Sequence, residues 1–352
     1  MARNIHDLLL RDQEVRIIGK KDIYPVCGYL RYLTKIVFLA YRTGALFPSI
    51  IKTEKHPVLY QRKINNYDFD CIKKNPYIRS LREVISNDTD RCMVLEWMGQ
   101  DLKQVKKLEY KPRLLFLKIV ARSVLKALTA FADMDGQGPG VHTGKNQDVD
   151  LKNILTHDPW GNNPVIKLAD LGGLIPAGEM REQHLQSLSI RASEIWKGHA
   201  LSPACDIWSL GVSLAHFISP KPLFGHVDLE FPVTVMSPEM SQAASSIAKI
   251  MQLIGPLARD EDPKYSEEFD AAEALVEVGA IPLSSLGDEL MKCEVDRDCV
   301  DFIAYLLALD PEKRPTVEQA LAHPWLNDTK VIQLMDFTFD IAQRPIEEST
   351  GG

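Results

Sequence analysis

The sequence predicts an α+β fold in two lobes, a small strand-rich one followed by a larger helical one. Three observations carry the prediction. Over residues 1–98, short β-branched and aromatic runs are punctuated by Gly and Pro, the pattern of strands and hairpins. From about residue 101, apolar residues recur at helical spacing. The strand-rich stretch comes first and the helix-rich stretch second, without alternation, which separates α+β from α/β. The expected boundaries are 1–98 for the small lobe, 99–327 for the large lobe and 328–352 for a C-terminal tail ending in the polar "RPIEESTGG".

The strand runs are "RIIG" (16–19), "KIVFLAYRTG" (35–44), "PSIIKT" (48–53) and "RCMVLEWM" (91–98). Among them lies one interrupted helical segment, "VLYQRKINNYDFDCIKK" (58–74). In the second stretch, "RLLFLKIVARSVLKALTAFADM" (113–134) predicts a long buried helix. "DIWSLGVSLAHFI" (206–218), "SQAASSIAKIMQLIG" (241–255), "CVDFIAYLLAL" (299–309) and "TVEQALAHPWL" (316–326) predict further helices, and no internal repeat is evident.

A chain of 352 residues suits two domains or one bilobal domain, and its 45% hydrophobic and 25% charged composition is that of an ordinary globular protein. A net charge of −7 speaks against a nucleic-acid partner or an anionic membrane surface. The six cysteines, Cys27, Cys71, Cys92, Cys205, Cys293 and Cys299, form no Cys-x-x-Cys pair. Free thiols in a reducing compartment are expected, with no disulfides and no zinc site. The apolar run in "MARNIHDLLLRDQE" is too short for a signal peptide. No stretch reaches the roughly 18 apolar residues of a membrane span, so a cytoplasmic or nuclear location is expected.

Four segments carry a resemblance to a known family, and they come in the family's order. "KLADLGGL" (167–174) resembles the strand and Asp-Phe-Gly segment of eukaryotic protein kinases, with Leu171 in the Phe place. "IRASEIWKG" (190–198) resembles the element that closes the activation segment, with Ser193 for Pro. "ACDIWSLGVSLAHFI" (204–218) resembles the buried central helix of the large lobe, and "LLALDPEKRPTVEQALAHPWL" (306–326) its last helices. "AKIMQLIGPLARD" (248–260) is similar to the branch holding cyclin-dependent and SR-protein kinases. The resemblance implies a bilobal protein-kinase-like fold. It also implies transfer of phosphate from ATP, with Mg²⁺, to Ser or Thr of a protein substrate. In the family, Glu194 pairs with Arg314 and Asp206 caps the catalytic loop's backbone, both structural roles; Trp208 and Trp325 are expected in the core.

Phosphoryl transfer needs a cation on the nucleotide phosphates, oxygen ligands for the metal, a carboxylate for the attacking hydroxyl and a backbone lid over the phosphates. The resemblance implies that Asp170 in "LADLG" is a metal ligand. It implies that Lys52, ending "FPSIIK", binds phosphate, with Ile50 roofing the adenine. The helix that follows should offer a Glu to Lys52 and has none. Asn66, Gln61 or Lys63 falls near that place, and Asp68 and Asp70 are the nearest acids. With Val37 as the valine that follows the glycine-rich lid, the three glycine positions are Leu30, Tyr32 and Lys35. Side chains there hinder a close approach of backbone to phosphate. "VLEWM" resembles the hinge, with Leu95 guarding the pocket, Glu96 and Met98 offering backbone groups to adenine and Asp101 reaching the ribose.

The family's catalytic loop runs His-Arg-Asp-Leu-Lys-Pro-x-Asn. Two registers compete in "QDVDLKNIL" (147–155). In one, Asp150 is the base and two residues before Asn153 are deleted. In the other, the count from Asp to Asn is kept and the base is Asp148. A tight loop whose groups must meet one phosphate favours the second, since misplacement by ~1 Å costs ~10²-fold. Asn153 is then a metal ligand, Leu155 packs under adenine, and the loop lysine has become Asp150. "GKNQ" reads as an insertion after His142 and Thr143, and Ser187 matches the Ser/Thr that contacts the loop lysine and base. Retention of Lys52, Asp148, Asn153 and Asp170 supports an enzyme. The lost glycines, helix Glu and loop Lys support a pseudokinase acting as a binding or scaffold module. Both readings stand at the level of sequence.

Overall fold

The computed structural model describes residues 16–18, 23–31, 36–41, 48–54, 56–86, 91–107, 114–136, 138, 140–142, 149–177, 186–227, 236–259 and 266–335. Contacts group the chain into two units, Met1–Gly99 and Gln100–Gly352.

The first unit is built on a six-stranded antiparallel sheet in the order β1-β2-β3-β4-β6-β5. Its strands are β1 (Arg16–Ile18), β2 (Ile23–Arg31), β3 (Ile36–Tyr41), β4 (Pro48–Thr53), β5 (Leu81–Ser86) and β6 (Arg91–Glu96). The central strands β4 and β6 come from the β-branched runs "PSIIKT" and "RCMVLE", and Ile51, Cys92 and Val94 between them are fully buried. The register shifts between Val26 and Gly28, so Cys27 forms a bulge in β2. Strand β5, "LREVIS", stood out less in the sequence, because charged Arg82 and Glu83 interrupt its apolar alternation.

Between β4 and β5 lie α1 (Pro57–Asp68) and α2 (Asp70–Lys73). Pro57 opens α1, where its missing N–H costs nothing. Phe69, in extended backbone at ψ 133°, breaks the helical run, which accounts for the interruption seen in the sequence. The buried residues of α1 are Tyr60, Lys63, Asn66 and Tyr67, spaced along one helical face. Its apolar Val58 and Leu59 are exposed.

The second unit carries two small sheets. In one, β10 (Val165–Leu168), β9 (Ile154–His157) and β7 (Gln100–Asp101) lie in that order; in the other, β11 (Leu174–Pro176) pairs with β8 (Gly140–His142). Its helices include α3 (Leu102–Lys107), α4 (Leu114–Leu128), α5 (Ser193–Trp196), α6 (Ala204–Ile218), α7 (Pro238–Leu253), α8 (Ser266–Glu277), α9 (Leu286–Met291), α10 (Arg297–Leu306) and α11 (Val317–Leu321). Helix α6 is buried nearly all round and forms the core, with Trp208 and Leu210 fully buried. At Gly211 a Cβ would stand 2.8 Å from Leu307 Cγ, so only glycine lets the α10 end approach this closely. Side-chain caps fix the helix starts: Ser237 for α7, Asp296 for α10 and a Thr316–Gln319 capping box for α11. Trp208 and Trp325 are buried as expected, Trp325 stacking on Phe302 at 4.9 Å between centroids.

Candidate active site

Strands β9 and β10 pair Ile154 with Leu168, so the residues that flank them lie side by side. The N–H of Ala169 donates to the carbonyl of Asn153 at 2.8 Å. That bond sets Asp170 next to Asn153, the two residues expected to hold metal. Asn153 is buried, as are Ala169 and Leu171 on either side of Asp170. Asp170 has left-handed backbone (φ 61°, ψ 55°), a conformation that short polar Asp adopts more readily than other non-glycine residues. Leu171, in the Phe place, is fully buried, so an aliphatic side chain does the packing there.

The turn before Asn153 is made by Asp150. Its carboxylate Oδ1 accepts the N–H of Lys152 at 2.9 Å, and its carbonyl accepts Asn153 N–H at 2.8 Å and Ile154 N–H at 3.1 Å. This is an Asx turn, which explains an acid in the place of the loop lysine as local backbone chemistry. One residue earlier, fully buried Val149 accepts Ser213 Oγ–H of α6 through its carbonyl at 2.7 Å. Asp148, Thr143 and residues 144–147 lie outside the described residues.

Leu155 lies opposite Asp101 across β9 and β7. Asp101 starts α3: its Oδ1 accepts Gln104 N–H at 2.7 Å, while Gln104 Oε1 accepts Asp101 N–H at 3.2 Å. Burial pushes the Asp101 carboxyl up, with Asp150 adding to the effect and N–H donors opposing it.

Ser187 is half-buried, and its carbonyl accepts Ile190 N–H at 3.0 Å. The residue before it, Gln186, was not singled out from the sequence and ties this segment to the core. Gln186 is 3% exposed with left-handed backbone at φ 64°. Its Nε2 donates to Ser209 Oγ at 2.9 Å, and its Oε1 accepts Ala192 N–H at 2.9 Å. Its carbonyl accepts the Arg191 guanidinium at 3.1 Å, and that group lies 4.3 Å over the Trp196 ring. An isolated Gln in a polar run gives no signal of such a role.

The closing element is anchored by Glu194 and Arg314, as expected. Arg314 Nη1 and Nη2 donate to the two carboxylate oxygens at 2.8 and 2.9 Å. Its other N–H groups go to the carbonyls of Ala308 and Ala204 and to Ser193 Oγ, so all five donors are used. Burial pushes the Glu194 carboxyl up, but the hydrogen bonds and charge of Arg314 outweigh this and hold it below the ordinary range.

In the first unit, the backbone of Val37 lies opposite Lys52, and Ile50 lies opposite Leu95. Ile50, Lys52 and Leu95 therefore project from one face of the sheet. Glu96 and Met98 follow at the end of β6 and just beyond it. The Glu96 carbonyl already accepts Arg79 Nε–H at 2.7 Å, and its carboxylate accepts Ser80 N–H at 3.2 Å. Asp68 and Asp70 do not face the strand lysine: they are 77% and 62% exposed and pair with Lys73 and Lys74. The buried Lys63 of α1 instead meets Glu54, the residue after β4, with its Nζ 2.8 Å from Glu54 Oε2.

Residues 67–326 match the protein kinase domain family. The chain belongs to this family. It is similar to mitogen-activated protein kinase 15 of Xenopus laevis, 26% identical over 269 residues, which are 72% of this chain and 40% of the relative. It is 28% identical to cyclin-dependent kinase G1 of Arabidopsis thaliana over 283 residues, 75% of this chain and 40% of the relative. Serine/threonine-protein kinase ppk23 of Schizosaccharomyces pombe is 26% identical over 279 residues, 78% of this chain and 62% of the relative. The chain thus spans less than two thirds of the length of these relatives. Such relatives agree with the cyclin-dependent branch expected from "AKIMQLIGPLARD". Protein kinase domains use ATP and a divalent metal ion. The amide oxygen of Asn153 and the carboxylate of Asp170 are the hard donors that Mg²⁺ takes.

Among the described residues, Cys71, Cys92, Cys205, Cys293 and Cys299 are in no disulfide. No helix of the described residues is long and apolar enough to cross a membrane.

Proposed function

We propose that this protein kinase domain transfers the γ-phosphoryl group of ATP to serine or threonine of a protein substrate, in the cytoplasm or nucleus. The observation that carries the reading is the Ala169–Asn153 backbone bond, which supports paired oxygen donors at Asn153 and Asp170. Bound ATP and Mg²⁺ would supply the phosphoryl group and neutralise its charge. Asn153 and Asp170 hold the metal. Lys52 binds phosphate oxygens. Asp148 orients the acceptor hydroxyl and takes its proton, and Ser187 steadies that loop. By the family resemblance, Ile50, Val37 and Leu95 are the adenine residues of the first unit, with backbone groups of Glu96 and Met98 for its edge, and Leu155 and Asp101 are the adenine and ribose residues of the second. The Asx turn at Asp150 supports the register in which Asp148 is the base, because it gives Asp150 a backbone role. The small lobe is then 1–98, the large lobe 99–327 and the tail 328–352.

The test is a thermal shift with ATP and Mg²⁺, followed by phosphate transfer to a generic protein substrate. A ligand that binds the native state raises its melting temperature. The expected result is a shift for wild type and transfer that Asp148→Asn loses. Absence of any shift at millimolar nucleotide would overturn the enzyme reading and leave a binding module.

A further inference from the structure

We propose that Glu54 and Lys63 form the strut that holds α1 against the strand carrying Lys52. The strut replaces, with reversed polarity, the strand-lysine to helix-glutamate pair on which protein kinases depend. The proposal rests on the reading of Lys52 as the phosphate-binding lysine.

The geometry lies within one unit. Glu54 follows β4 directly, and its N–H continues the ladder by donating to Arg91 O at 3.1 Å. By strand alternation it shares a face with Ile50 and Lys52. Lys63 comes from the inward face of α1, between Tyr60 and Tyr67. The two charged ends meet at 2.8 Å, with side chains 6% and 5% exposed. A long flexible lysine is almost never buried unless paired, so this position is defined by its carboxylate.

The location of acids on the chain supports the swap. Helix α1 holds one acid, Asp68 in its last turn, and that acid pairs with Lys73 at the surface. The carboxylate that would project inward from the helix is therefore absent from α1, and a carboxylate stands on the strand side instead. Tyr60 adds a second tie, its hydroxyl lying 3.1 and 3.2 Å from the carbonyls of Ile85 and Cys92. The consequence is that α1 is docked by a buried pair next to Lys52, and that Lys52 acts in phosphate binding without a helix carboxylate setting the helix.

The experiment compares wild type, Glu54→Gln and the charge-swapped pair Glu54→Lys with Lys63→Glu. It reads amide hydrogen exchange in α1 and α6, and the dissociation constant for ATP with Mg²⁺ well below each melting temperature. Glu54→Gln should speed exchange in α1 but not in α6 and weaken ATP binding about tenfold; the swapped pair should restore both. Unchanged α1 exchange, or unchanged ATP affinity in folded Glu54→Gln, would overturn the strut. If Glu54→Gln does not fold, the swapped pair decides: folding with near wild-type ATP affinity supports the strut, and failure of either overturns it. Wild type that does not bind ATP would overturn the kinase reading, while α1 exchange still decides whether the pair docks the helix.

Discussion

The carbonyl of Asn153 accepts the N–H of Ala169 at 2.8 Å, and through this bond the start of β9 and the end of β10 hold Asn153 and Asp170 together. Asp170→Asn keeps a side chain that tolerates left-handed backbone but removes the charge. Phosphate transfer should fall by at least ~10²–10³, the scale of losing one preorganised electrostatic group. Stability should change by less than about 0.5 kcal/mol. Asp170→Ala should lose the same activity and, in addition, about 1 kcal/mol of stability to backbone strain. Transfer assays and urea unfolding of both variants check this.

Asp150 and Asp148 should separate cleanly. Asp150→Ala removes the acceptor for Lys152 N–H. It should cost about 0.5–2 kcal/mol, as loss of a comparable cap does. Asp150→Asn keeps an acceptor oxygen and should stay near wild type in stability and transfer. Asp148→Asn should abolish transfer with little change in unfolding midpoint. Loss of transfer in Asp150→Asn alone would move the base to Asp150.

Glu194→Ala leaves the Arg314 guanidinium buried without its carboxylate. It should destabilise by about 3–5 kcal/mol, the cost of breaking a buried pair from one side. Because the folded carboxyl titrates below its unfolded value, its contribution is present above the unfolded value. It is lost as pH falls through the folded value. Acid unfolding followed by circular dichroism should show wild type losing this advantage over Glu194→Gln below about pH 4.

His216 gives a second pH dependence at a different range. Its Nε2 accepts Phe224 N–H at 3.0 Å, which requires the neutral ring. Burial, with Lys106 and Lys249 adding to it, pushes its pKa from 6.5 to about 3. The folded pKa is depressed, so below about pH 6.5 the unfolded chain binds a proton that the folded chain does not. Stability from this site is full above pH 6.5 and falls as pH drops, by about 2 kcal/mol from pH 7 to pH 5. His216→Gln, which retains an acceptor oxygen, should flatten that slope in urea unfolding at the two pH values.

Much of the fold was legible in local pattern. The run "PSIIKT" reads as β4 without change, and the apolar periodicity of "DIWSLGVSLAHFI" belongs to α6, whose whole circumference faces protein. The motif around Asp170 and the Glu194–Arg314 pair could be named because their chemistry demands fixed residue types at fixed spacing. The tertiary structure decided what depends on partners distant in sequence. Lys63 is buried and Leu59 exposed on the same helix, against ordinary hydrophobic order, because Glu54 lies where Lys63 can reach it. Gln186 is a core residue because Ser209 and Ala192 satisfy both ends of its amide. Asp150 is a turn former because the N–H of Lys152 meets its carboxylate. For Lys63 and Gln186 a polar group enters the interior at a cost that only a specific hydrogen-bond partner offsets. Sequence periodicity records which residues prefer to leave water, and partner geometry settles which polar ones do.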